Sequence, residues 1–412
     1  MSNSHTPCPL YKKCSGCQLQ NLPYEEQLHL KQAKLIRLLG RFGHVEEIIP
    51  MTDPTHYRNK VQSAFCNKSG RLTAGIYQST TRKIVEVPTS MEGGCMLEDL
   101  TATRIVATIR TLAPSFKLKP YDLATGRGFL RHVLIRRGFA SGQVMVVIVT
   151  APGDFPSCRS FVNELCRRHP EITTIVWNIN PTNTPLFLGN ESKTLFGEGY
   201  ITDQLCGLTF RISPRSFYQV NPVQTEILYN TARKFARLTG KERLIDAYCG
   251  TGTIGLTMAS REGVVGAKEI IGVEVNPDAV QDAKDNARRN GIESAKFYAA
   301  DAGDFMRELA LHGESADVVI TDPPRAGCSR EFLQSLLTLA PNRVVYVSCN
   351  PETLARDLST LTRGGYRVKK IQPVDLFPFT EHVESVVCLS REKADDYVRI
   401  SVQTKDLQTK AN

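Results

Sequence analysis

From about residue 206 onward the chain alternates buried-type strands with amphipathic helices, and each strand runs out into polar residues or glycines. That alternation predicts a parallel sheet covered by helices on both faces, with ligands gathered at the carboxyl ends of the strands. The strand Leu244-Ile245-Asp246-Ala247-Tyr248 leads straight into Cys249-Gly250-Thr251-Gly252-Thr253-Ile254-Gly255. Strands at 270–273, 296–299, 316–321 and 343–347 end in Glu274, Asp301, Asp322-Pro323-Pro324-Arg325 and Ser348-Cys349-Asn350. Asn221-Pro222 and Asn276-Pro277 each supply an N-cap followed by proline at the first helical position.

The first half reads differently. Pro23 to Leu39 has the apolar spacing of a helix, with Gly40 as its stop. Residues 58–88 and 128–150 are β-rich and broken by Gly and Ser, which predicts an antiparallel or mixed sheet, and 174–179 adds a further strand. Four segments follow: 1–50, 51–205, 206–395, and a polar tail at 396–412. Of 412 residues 41% are hydrophobic, yet no apolar run approaches the roughly 18 residues of a membrane span. No secretory signal is visible, so a soluble, cytoplasmic monomer is expected. The net charge is +9, and residues 51–150 alone carry 14 basic against 6 acidic side chains. That excess includes Arg58, Lys60, Lys68, Arg71, Arg82, Lys83, Arg127, Arg131, Arg136 and Arg137, enough to neutralise several phosphates if they share a face; scattered solvated charge is the plainer alternative. Cys8, Cys14 and Cys17 fall within ten residues, a bunching that in a reducing compartment suggests metal or cluster ligation.

Gly250, Gly252 and Gly255 form a G-x-G-x-x-G between strand and helix, and Glu274 stands 24 residues past the first glycine, placed to hold a ribose. The pattern suits NAD or S-adenosylmethionine. The fourth strand separates them, because Asp322-Pro323-Pro324-Arg325 resembles the motif of class I S-adenosylmethionine-dependent methyltransferases that act on bases. At the mouth of the same crevice stands Cys349. Carbon 5 of a pyrimidine is a poor nucleophile, so its methylation needs a thiolate to add first at carbon 6. A base must later take the carbon-5 proton, and Glu384, just before the apolar strand 386–389, is the candidate.

Taken in order, Ser213-Pro214-Arg215-Ser216-Phe217-Tyr218-Gln219-Val220-Asn221-Pro222, 246–252, Asp322-Pro323-Pro324-Arg325-Ala326-Gly327, Ser348-Cys349-Asn350-Pro351 and Asp375-Leu376-Phe377-Pro378-Phe379-Thr380 resemble the RNA uracil-5-methyltransferase family over residues 8–390. The resemblance implies a class I, Rossmann-like methyltransferase domain with a largely parallel seven-stranded sheet, and before it a β-rich RNA-binding domain carrying an iron–sulfur cluster. It implies Cys349 as nucleophile, Glu384 as base, and Gln219, Tyr248, Thr253, Glu274, Asp301 and Asp322 as contacts of S-adenosylmethionine. Cys8, Cys14, Cys17 and Cys95 look like the 4Fe-4S site of members that modify 23S ribosomal RNA and that the transfer-RNA members lack; zinc is the alternative for four thiolates. Many ribosomal-RNA members begin with a TRAM domain, and seven residues precede Cys8, so RNA contact is expected from the basic segment and the crevice. The rivals are a transfer-RNA uracil-5-methyltransferase, an RNA cytosine-5-methyltransferase, and a non-catalytic RNA-binding iron–sulfur protein. Cytosine enzymes place a second cysteine where Arg325 stands.

Overall fold

In a computed structural model the described residues are 8–78, 81, 83–87, 94–184 and 186–391; the expected tail at 396–412 and Arg82 lie outside them. Helix α1 (Tyr24–Leu39) starts one residue after Pro23 and buries Gln27, Lys31, Leu35 and Leu39 on one face. Seven strands then form a mixed sheet: β1 (Lys60–Lys68), β2 (Arg71–Tyr77), β3 (Ile84–Glu86), β4 (Leu130–Arg137), β5 (Val144–Thr150), β6 (Ile172–Ile179) and β7 (Glu191–Phe196). Their order is β3-β2-β1-β4-β5-β6-β7. Only β5 and β6 run parallel, and α3 (Cys158–Arg168) makes the crossover that such a pair requires. Helix α2 (Leu100–Leu112), capped by Asp99 accepting from the Ala102 amide at 3.0 Å, packs with α3 on one face of this sheet.

A hairpin of β8 (Ile201–Leu205) and β9 (Leu208–Ile212) follows, turning on Cys206 and Gly207, both at positive φ as a two-residue hairpin turn demands. The boundary expected between 205 and 206 therefore falls in the middle of a hairpin. Its residues Ile201, Leu205, Leu208 and Phe210 pack in one core with Leu134, Met145 and Val147 of the first sheet and Val345, Val347 and Val386 of the second.

The second sheet follows the strand and helix alternation. After α4 (Pro222–Ala236) come β10 (Arg243–Ala247), α5 (Thr253–Thr257), β11 (Glu269–Glu274), α6 (Pro277–Arg289), β12 (Ala295–Ala299), α7 (Ala302–Leu311), β13 (Val318–Thr321), α8 (Arg330–Leu339), β14 (Arg343–Ser348), α9 (Pro351–Arg363), β15 (Tyr366–Val374) and β16 (Glu384–Arg391). The order β12-β11-β10-β13-β14-β16-β15 is parallel up to β14 and antiparallel beyond. The chain winds outward from β10 in both directions, so a crevice opens between the ends of β10 and β13. The N-terminal segment docks on this domain: Val45 and Ile49 bridge to Ile371 and Val374, and Leu35, Leu39 and Ile48 enter its core.

The basic segment needs a correction. Arg131 and Arg136 are 2% and 3% exposed. Arg131 donates to the carbonyls of Asn180, Thr182 and Thr184, and Arg136 to those of Ser213 and Ser216 at 2.6 and 2.7 Å. Arg137 pairs with Asp99. Arg131 and Arg136 hold loops and are too buried to meet phosphate, Arg137 stays partly exposed beside Asp99, and Lys68, Arg71, Lys83 and Arg127 are exposed. Arg136→Ala orphans two carbonyls and is expected to lower the unfolding free energy by about 3 kcal/mol in a denaturant titration. The salt dependence of RNA binding should stay that of the wild type; a flattened slope would return Arg136 to the phosphate-binding set.

Candidate active site

Strand β14 pairs antiparallel with β16, ending at Ser348 opposite Ser385. One step further along that register Cys349 comes opposite Glu384. The nucleophile and base of the sequence reading are thus brought together by one ladder, although they stand 35 residues apart. Glu384 is 3% exposed and Cys349 half-buried. Burial, reinforced by the charges of Glu384 and Asp322 and opposed by Arg325, pushes the Cys349 thiol up to about 11. Burial and the Asp322 charge raise the Glu384 carboxyl well above the ordinary carboxylate range. Burial raises Asp322 likewise.

The loop after Asp322 is held from α9, the helix that begins next to Cys349. Asn350, its N-cap, donates to the Arg325 carbonyl at 3.0 Å, and Arg356 donates to the carbonyls of Ala326 and Cys328 at 3.0 Å. Buried Asp357 accepts from the Cys328 amide at 2.8 Å and the Tyr346 hydroxyl at 2.6 Å. Gly327, at φ +78°, passes so close that a Cβ there would lie 2.6 Å from Arg356. The Arg325 guanidinium donates to Nε2 of His382 at 3.1 Å.

Across the crevice the glycine loop behaves as its spacing requires. The Gly250 amide donates to Glu274 at 3.1 Å, and Glu274 also accepts from the Asn276 amide at 2.9 Å, which fixes its carboxylate at the end of β11. Tyr248 takes φ +63°, which turns the chain out of β10, and its ring lies 5.1 Å from that of Phe332. Asp301 caps α7 through the Gly303 and Asp304 amides. Thr253 is buried with its hydroxyl 3.1 Å from that of Tyr229, and Gln219 presents its carbonyl to Asn59 at 3.0 Å. Tyr248, Glu274, Asp301 and Asp322 stand at the ends of β10 to β13; the Thr253 hydroxyl is engaged by Tyr229, and Gln219 is held through its main-chain carbonyl, not its side chain.

The sequence reading did not single out Asp246. Its Oδ2 accepts from the Gly255 amide at 2.7 Å, while its Oδ1 is buried without a partner. Burial, with the charges of Asp322 and Glu274, raises it to about 7. The pairing of that aspartate with the third glycine was the available signal.

Cys8, Cys14, Cys17 and Cys95 line one cavity of about 470 Å³, with Arg58 and Glu98, and this cavity reaches Arg325 and His382. Cys17 and Cys95 pack with Met51, Tyr57 and Phe379, and burial pushes their thiols up to about 11 and about 12. Among the described residues no group of three His, Cys, Asp or Glu side chains is set to hold a single metal ion.

A family model described as tRNA (Uracil-5-)-methyltransferase matches residues 189–392. An uncharacterized RNA methyltransferase of Halalkalibacterium halodurans is 42% identical over 93% of this chain and 82% of its own length. The chain belongs to the tRNA (uracil-5-)-methyltransferase family. A second relative, an uncharacterized RNA methyltransferase of Clostridium acetobutylicum, is 41% identical over 93% of this chain and 83% of its own. The solved structure of Pyrococcus abyssi tRNA (uracil-54, C5)-methyltransferase, in complex with S-adenosyl-L-homocysteine, superposes with a TM-score of 0.74 at 29% identity, covering 92% of this chain and 86% of that one. The expected class I methyltransferase fold is therefore the observed one.

With its thiol raised to about 11, Cys349 should be alkylated by iodoacetamide slowly at neutral pH and about tenfold faster per pH unit as the thiolate fraction grows. Glu384→Gln removes that opposing charge and should speed the alkylation at alkaline pH, where the raised carboxyl is ionised, read by peptide mass spectrometry. An unchanged or slower rate would mean that the Glu384 charge does not reach the sulfur.

Proposed function

We propose that this protein transfers a methyl group from S-adenosylmethionine to carbon 5 of a uridine in RNA, with 23S ribosomal RNA as substrate. The observation that carries the reading is the closeness of Cys349 and Glu384, each one residue past the Ser348–Ser385 pair of β14 and β16, with the charges of Glu384 and Asp322 bearing on the thiol. S-adenosylmethionine supplies a methyl made electrophilic by its sulfonium. Cys349, after losing its thiol proton to solvent, adds through Sγ as the thiolate to carbon 6, turning carbon 5 into an enolate carbon that can take that methyl. Glu384 then removes the carbon-5 proton, and the thiolate leaves as the ring double bond re-forms. A carboxyl raised by burial suits this work, since it gains basicity while a dry pocket keeps water from competing. Tyr248, Glu274, Asp301 and Asp322 line the cofactor side, with Gln219 and Thr253 below. The unpartnered Asp246 Oδ1 and its acidic neighbours favour a ligand bearing positive charge, as the ammonium and sulfonium of this donor do.

Cys8, Cys14, Cys17 and Cys95 would hold a 4Fe-4S cluster. What supports this reading is that all four cysteines line one cavity; four thiolates would suit zinc as well, so the choice of a cluster rests on the family resemblance. Methyl transfer moves electron pairs and needs no external electron, so the cluster's part is structural: it joins the N-terminal segment to Cys95 and closes a long loop. The cysteine site on the substrate cavity supports a ribosomal-RNA target. A transfer-RNA target is the second reading, favoured by the likeness to the Pyrococcus abyssi enzyme.

Labelled S-adenosylmethionine with unmodified 23S ribosomal RNA and transfer-RNA transcripts, digested to nucleosides, tests both; label as 5-methyluridine in transfer RNA alone would overturn the ribosomal target. Cys349→Ala should abolish methylation with cofactor affinity intact, whereas Glu384→Gln should accumulate an RNA–protein adduct on natural substrate. Turnover by Cys349→Ala would remove it as nucleophile. Because the charged form of Asp246 favours a cation, affinity for S-adenosylmethionine should hold above pH 7 and fall as pH drops through about 7, by up to tenfold per unit. Calorimetry giving one dissociation constant from pH 6 to 8 would count against a role for Asp246.

A further inference from the structure

The cavity of the four cysteines contains a basic side chain, Arg58, whose guanidinium interacts with the Tyr57 hydroxyl and still has one buried N–H without an acceptor. The backbone of Arg58 is laced beside Cys95: its amide donates to the Leu97 carbonyl at 2.9 Å, and its carbonyl accepts from the Asp99 amide at 3.2 Å. The neighbouring Tyr57 is buried, with its hydroxyl donating to the Pro378 carbonyl at 3.1 Å. Held at both ends, Arg58 lines the cavity together with Cys8, Cys14, Cys17 and Cys95, and its Nε is buried with no hydrogen-bond partner. A buried N–H without an acceptor is costly, and its cost is removed if an acceptor occupies the space it faces.

We propose that Arg58 is the charge partner of the anionic group held by Cys8, Cys14, Cys17 and Cys95, supplying it a guanidinium charge and the free Nε–H; this rests on the cluster reading above. Four thiolates around an iron–sulfur core leave the assembly negative in a largely apolar setting, where an uncompensated charge is disfavoured. Glu98 lines the same cavity, and its carboxyl works the other way. Lys60, at the start of β1, also lines the cavity.

Wild type, Arg58→Gln and Arg58→Lys are purified without oxygen and compared for iron per chain, rate of iron release to a chelator, and midpoint potential. Arg58→Gln should release iron about tenfold faster, the scale of one lost hydrogen bond to a charged group. Its potential should move negative, because removing a cation disfavours the added electron; Arg58→Lys should recover the potential more fully than the release rate. Equal release rates and potentials in wild type and Arg58→Gln would overturn the inference and leave the cluster reading standing. Zinc, or no iron, in the wild type would overturn the cluster reading first and this inference with it. Metal-free Arg58→Gln melting well below metal-free wild type would also count against the proposal, since the lability would then report a damaged fold.

Discussion

Lys31 and Asp375 form an ion pair of 2.6 Å at 2% and 0% side-chain exposure, and both halves of the site depend on it. Burial presses the Lys31 ammonium below its ordinary range, and Asp375 opposes the shift. The pair is fully furnished: Lys31 also donates to the Phe377 carbonyl at 3.1 Å, and the second Asp375 oxygen accepts from the Tyr24 hydroxyl at 2.8 Å. Gln27 accepts from the Phe379 amide at 2.8 Å, and the Leu19 amide donates to the Phe379 carbonyl at 3.0 Å. One face of α1 therefore clamps the 375–380 loop, which lies between β15 and β16 and leads into Glu384. Removing one member of such a pair leaves a buried charge alone, a loss of about 3–5 kcal/mol.

That clamp also explains why the cysteine cavity lies beside the crevice. The segment carrying Cys8, Cys14 and Cys17 precedes α1 directly, so whatever orients α1 orients these thiols. Phe379 packs with Cys17 and Cys95 on one side and belongs to the clamped loop on the other. Order at the cysteines and order around Glu384 are thus consequences of the same contacts.

The crevice itself is an electrostatic arrangement. Asp246, Asp322 and Glu384 are carboxyls drawn into one region of low polarity, and burial raises each of them. Such a site disfavours a lone thiolate and welcomes a cation. Arg325 opposes the rise at Cys349 and Glu384.

Much of this was legible in the chain. The alternating second half and the N-caps at Asn221 and Asn276 rest on short-range periodicity and capping, which a linear sequence states directly, and the observed strands begin and end within a few residues of their expected limits. The sequence determined the chemistry available at each strand end, because Glu274, Asp322 and Cys349 follow runs that could only be buried. It did not determine which charges would be buried. Arg131, Arg136 and Lys31 look solvated in a count of charge, and only the partners decide otherwise: backbone carbonyls 49 to 80 residues away, and a carboxylate 344 residues away. The same holds for the unpartnered Asp246 oxygen and the Arg58 Nε. A charge is stable inside a protein only when distant groups converge on it, and convergence belongs to the tertiary fold, which local sequence cannot express.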